Sequence, residues 1–140
     1  MRSDQNSKWI VLGPSATTTI STLTASVDTR GFNYITIFAA STSTGALNTN
    51  TAVEHSDDNS TWVAMPGVVY GVDYVPTTAT NATTEAKFLM NIDLRGRKRY
   101  LKVTVQHATA GDLKLLASLS SPTDGITDAA SAGTTNFFNL

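Results

Sequence analysis

Apolar and polar residues alternate in short runs along most of this chain, and no stretch sustains a helical period. Met90, Ile92 and Leu94 alternate with polar neighbours, and so do Leu101, Val103 and Val105, so each run can bury one face and wet the other. Asn91 to Val105, NIDLRGRKRYLKVTV, therefore predicts a half-buried hairpin. Its tight turn falls at Gly96, and Asp93 is placed as an Asx-type acceptor. A shorter copy lies upstream: Val27-Asp28-Thr29-Arg30-Gly31 leading to Tyr34-Ile35-Thr36-Ile37 echoes Ile92-Asp93-Leu94-Arg95-Gly96 leading to Tyr100-Leu101-Lys102-Val103. Such a repeat suggests two equivalent corners of one β fold, since a corner has the same backbone needs wherever it occurs.

The same reading places a short strand at Trp9 to Leu12, ended by Gly13-Pro14, and one strand or two in the Thr-rich Ala16 to Val27. Tyr34 to Ala40 is apolar on both sides, which predicts an interior strand. Ala52 to His55 and Thr61 to Met65 predict a hairpin with its tip at Ser56 to Ser60. Val68 to Val75 and Ala86 to Asp93 follow as strands, separated by a polar loop over Thr77 to Thr84. Leu113 to Leu119 has one wholly apolar face and is expected to be joined to the Tyr100 strand by a turn around Ala110-Gly111-Asp112. The expected fold is all-β, an antiparallel β-sandwich or barrel, jelly-roll-like, with extended N- and C-terminal arms. Residues 1–15 form the first arm and first short strand, 16–120 the β domain, and 121–140 a flexible C-terminal arm. Phe137-Phe138 near its end would be a liability if left exposed on an isolated monomer and makes more sense if that tip docks on a neighbour or folds back on its own sheet.

Composition narrows the functional classes. With 140 residues, the chain can hold one real core, and a charged fraction of only 15% with abundant Thr suits strands. The absence of cysteine removes disulfides and thiolate metal sites. A net charge of -1 argues against nucleic acid as a partner, and no run approaches the roughly 20 apolar residues of a membrane helix. The expectation is a soluble product of a cytoplasm, with no cofactor. Two histidines, His55 and His107, with no nucleophile elbow or metalloprotease motif, give no catalytic constellation.

Two motifs, HSDDNSTW (His55 to Trp62) and NIDLRGRKRYLKV (Asn91 to Val103), resemble small β-structured virion proteins of tailed bacteriophages and related prophages. In many of those a Ser-Asp-Asp-x-Ser-x-Trp hairpin precedes an Asp-Leu-Arg-Gly-x-x-Arg-Tyr segment. The resemblance spans about Ala25 to Leu119. It implies a non-enzymatic structural role, above all that of a capsid decoration or cement protein on the outer shell. Its partners would be the major capsid protein and further copies of itself, a trimer being favoured. A tail or neck accessory protein is the alternative within that class, and a carbohydrate-binding module with Trp62, Tyr70 and Tyr74 as its platform is the alternative outside it.

The residues expected to make protein contacts follow from charge and exposure. Arg95, Arg97, Lys98, Arg99 and Lys102 form a basic cluster, while Glu54, Asp57 and Asp58 form an acidic one on the other hairpin. Opposite charges on separate loops could meet across a subunit boundary; the bland reading of the basic loop is a solvated turn. Trp9, Phe137 and Phe138 complete the set. The Asp57-Asp58-Asn59 tip reads as an Asx turn in preference to a calcium loop, and Trp62 as a core anchor in preference to a sugar platform.

Overall fold

A computed structural model of the chain describes residues 7–13, 19–47, 50–76, 86–121 and 136–140. All regular structure among them is β: β1 (Lys8–Gly13), β2 (Thr19–Asp28), β3 (Tyr34–Ser41), β4 (Ala52–Ser56), β5 (Val63–Ala64), β6 (Ala86–Asp93), β7 (Tyr100–Ser120) and β8 (Asn136–Asn139). The Thr77 to Thr84 loop, Pro14 of the expected break, the first six residues and most of the C-terminal arm lie outside the described residues.

The molecule is built along β7. Its first residues, from Tyr100, pair with β2 and β4, and its last, to Ser120, pair with β1 and β3. β3 continues the sheet to β6 and β8, and β4 continues it to β5. Among the described residues the result is one largely antiparallel sheet of eight strands, curled so that its two halves share an interior, with β6 and β8 its one parallel pair of strands. Val27, Val53, Leu101 and Val103 from one half meet Ile35, Ile37, Met90, Ile92, Leu113 and Leu115 from the other in a single core. Burying each such side chain stabilises the fold by roughly 1.5–3 kcal/mol before entropy is counted. Tyr34 to Ala40 is the interior strand its sequence predicts, flanked by β6 and β7.

The turn expected at Ala110-Gly111-Asp112 does not form. β7 continues through it as one strand, although its register against β2 jumps from Gln106 to Gly111, and Leu101, Val103, Val105, His107, Gly111, Leu113, Leu115, Ala117 and Leu119 are buried in one phase that only the exposed Thr109 interrupts. Gly111 is there for proximity: a Cβ on it would stand 2.6 Å from the Ser43 backbone nitrogen. A glycine in a strand marks a close backbone approach as readily as it marks a turn, and sequence spacing cannot separate the two.

The hairpin expected over Asn91 to Val105 is also corrected. β6 does not pair with β7; it pairs with β3 and β8. Residues 94–99 instead carry the chain from one half of the sheet to the other. The upstream copy does the same between β2 and β3, which do not pair with each other either. Alternation specifies which face of a strand is buried but not which strand lies beside it, so a crossing between sheet halves and a hairpin look alike in sequence.

Two open alternatives close and one expected strand is lost. Thr19 to Asp28 is one strand, with a register shift between Ile20 and Thr22. Val68 to Val75 is a series of turns, in which Asp73 Oδ2 accepts from the Val69 N–H at 2.7 Å and a bridge joins Tyr70 to Tyr74. At the C terminus, residues 136–140 are no free tip. β8 lies along β6, the Leu140 N–H donates to Asn91 O at 2.8 Å, and the Phe138 ring packs edge-on against Tyr74 with centroids 5.8 Å apart.

Candidate functional site

The two Asp-x-Arg-Gly corners stand side by side and are built alike. In each, the aspartate Oδ1 accepts from the backbone N–H two residues on: Asp28 from Arg30 at 3.1 Å, Asp93 from Arg95 at 3.0 Å. In each, the next carbonyl accepts three residues on, Phe32 N–H to Thr29 O and Arg97 N–H to Leu94 O. The glycine in the third position takes positive φ, 90° at Gly31 and 76° at Gly96, which L side chains adopt at a cost. The corners also trade bonds reciprocally. Thr29 N–H donates to Arg99 O, and Leu94 N–H donates to Asn33 O; Arg99 and Asn33 each precede the tyrosine of their corner. Each aspartate sits opposite the other corner's tyrosine, Asp28 across from Tyr100 and Asp93 across from Tyr34. The repeat in sequence is thus a local pseudo-twofold in space.

Arginines cap both pairings. Arg99 clamps Asp28 through Nε at 3.0 Å and Nη2 at 2.6 Å while lying over the Tyr100 ring. Arg95 clamps Asp93 and lies over the Tyr34 ring, donating to its hydroxyl at 3.1 Å. Hydrogen bonds from these guanidinium groups hold both carboxyls at about 2, well below the usual 3.8.

The rest of the basic cluster is also engaged within the chain. Lys98 Nζ lies 3.1 Å from Asp57, Lys102 Nζ lies 2.6 Å from Glu54, and Arg97 donates to the carbonyls of Pro66 and Asp93. The charges that sequence spacing placed on separate loops, to be joined across a subunit boundary, are neighbours because β4 pairs with β7 and puts Glu54 directly opposite Lys102. Beneath the loop, the buried His55 accepts the Lys98 N–H at Nδ1, 3.3 Å away. Burial pushes its pKa down from 6.5, and the charges of Lys98 and Arg97 push it further. Nothing in the spacing of His55 and Lys98 signals that partnership; pairing of β4 with β7 creates it.

At the hairpin tip, Asp58 is the expected Asx residue. Its Oδ1 accepts from Ser60 N–H, Thr61 N–H and the Ser56 hydroxyl, and its Oδ2 from the Thr61 hydroxyl. Those donors hold its carboxyl far below the usual range. Among the described residues no group of three or more His, Cys, Asp or Glu is placed to hold a metal ion. Trp62 is no core anchor. It is half-buried on the outer face, with the Lys102 ammonium 4.8 Å from its ring centre. Tyr74 is buried and Tyr70 spends its hydroxyl on Leu47 O, so Trp62, Tyr70 and Tyr74 do not make a common platform.

The apolar members fall differently. Trp9 is 68% exposed on the outer face of β1, and Phe138 is packed against the core; the Phe137 side chain lies outside the description, although its backbone pairs with Leu89. Sequence reading missed a row next to Trp9: Val11, Leu116, Phe38 and Leu89 stand on one rung of the outer face across β1, β7, β3 and β6, with Val11 exposed, Leu116 and Phe38 half-buried and Leu89 covered. The signal was available as apolar residues on both sides of Tyr34 to Ala40. No protein-family model, curated protein or solved structure matches the chain.

Proposed function

We propose that this chain is a non-enzymatic structural component of a tailed-phage virion, a decoration protein that stabilises the head by bridging major capsid subunits on its outer surface. One observation carries the reading. The two stretches that bear the resemblance form one physical unit: His55 accepts from Lys98, Asp57 pairs with Lys98, and Lys102 covers Trp62 while pairing with Glu54 just before the first stretch. A body stitched in this way spreads load without rearranging. Its mechanism is mass action, since a protein that binds only the assembled shell stabilises that shell. A contact of about 1,600 Å² would be ordinary for such binding.

The test is to add purified chain to heads that lack it and follow sedimentation and heat disruption. Saturable binding that raises the temperature of head rupture is the expected result. Particle imaging that finds the chain only at the tail or neck replaces this reading with the accessory one. Glycan binding without particle binding overturns both.

A further inference from the structure

We propose that β1 is a self-recognition strand, through which two copies join antiparallel about a twofold axis at Ile10 and extend one sheet into the other. Three observations point there. Among the described residues β1 pairs with β7 alone, so it forms an edge of the sheet with backbone groups to offer. That edge carries Trp9 and Val11 on its outer face, each 68% exposed. Proteins commonly guard such an edge with inward charge or proline; here Lys8 is the only charged residue in the strand, at its end.

The third observation selects a second copy as the occupant. Trp9 stands on a polar rung of its own sheet, with Ser118, Thr36 and Asn91 beyond it, and Thr36 donates to Asn91 at 3.1 Å. One rung away lies the apolar row of Val11, Leu116, Phe38 and Leu89. The bulge between Val11 and Gly13 ends the regular strand, so the usable segment is Lys8 to Leu12 and its centre is Ile10. Pairing about that centre sets Trp9 of one copy opposite Val11 of the other, an aromatic against a β-branched residue. Each tryptophan then extends the other copy's apolar row, which its own sheet does not let it join. Shifting the axis to Trp9 would set Val11 against Ser7, and shifting it to Val11 would set Trp9 against Gly13; neither buries both exposed side chains. The pairing is isologous and closes at two copies. It does not depend on the capsid reading, because it needs no particle.

Sedimentation equilibrium of the full chain over a concentration series tests it. Wild type is expected to approach twice the chain mass. Trp9→Lys and Val11→Lys, at exposed positions and with melting curves close to wild type, are expected to weaken association by about tenfold or more. Because the chain has no cysteine, Ile10→Cys reports the register: facing strands about 4.5–5.5 Å apart at Cα fit a disulfide. Oxidation should link that variant into dimers and leave Trp9→Cys unlinked. A wild type that stays monomeric, a mass of three chains, or lysine variants that associate as tightly as wild type overturns the proposal.

Discussion

The two corners share a backbone and differ in what they do with it. At the position after the aspartate, one has Thr29 and the other Leu94, both buried. Thr29 uses its hydroxyl for a second bond to Arg99 O, at 2.6 Å. Leu94 instead joins the core. The longer corner, with one more residue before its tyrosine, sends Arg97, Lys98 and Arg99 out to Pro66, Asp57 and Asp28. The shorter one packs Phe32 on the core. Equivalent turn geometry has therefore been given two jobs, an apolar hub stitched to its neighbours and a polar latch that fastens to it.

The sharpest way to separate those jobs is to cut each at the same position. Leu94→Ala should cost about 2–4 kcal/mol, as truncation of a buried leucine does. Thr29→Val should cost only about 1 kcal/mol, the net worth of one hydrogen bond, because Thr29 N–H still serves Arg99 O. Denaturant unfolding of both variants measures the gap, and equal losses would erase the distinction between hub and latch.

Glycine substitution probes what the corners share. A Cβ at Gly31 or Gly96 would meet nothing within 4 Å, so the penalty is conformational alone. Gly31→Ala and Gly96→Ala should each lose about 1 kcal/mol. A large inequality would show that the turns are not equivalent.

Acid should act on the hub first. His55 has a folded-state pKa below its ordinary 6.5, so the unfolded chain binds that proton more readily. Its contribution is complete above 6.5 and is lost as pH falls through the lower folded value. The Asp28 and Asp93 contributions, with carboxyls at about 2 against 3.8, disappear only between those values. Melting temperature against pH should fall in two stages, and His55→Gln should flatten the upper stage alone.

The smallest difference concerns the arginine caps. Arg99 ties one corner to the other, whereas Arg95 and Asp93 belong to the same turn. Both pairs are solvent-screened. Arg99→Ala should lower the melting temperature slightly more than Arg95→Ala, and added salt should remove the difference.

Much of this was open to sequence reading because it is local. Strand periodicity, the Asx role of Asp58, the positive φ at Gly31 and Gly96, and the kinship of the corners depend on residues a few positions apart. The candidate contact residues were legible by type and not by situation. Lys102 and Glu54 stand out as charges, yet their pairing needs β4 beside β7. Trp9 stands out as an early aromatic, but its exposure on a polar rung follows from the register with Ser118.

Local chemistry, then, specified an all-β chain with two matched corners, since dihedral preference and alternation act over a turn or a strand at a time. Strand neighbours, the passage of β7 through Gly111, the placement of His55 under Lys98 and the outward apolar row were left to the assembled sheet. Those depend on contacts between residues far apart in the chain, where many pairings satisfy the same alternation and only simultaneous burial of both sheet halves selects one.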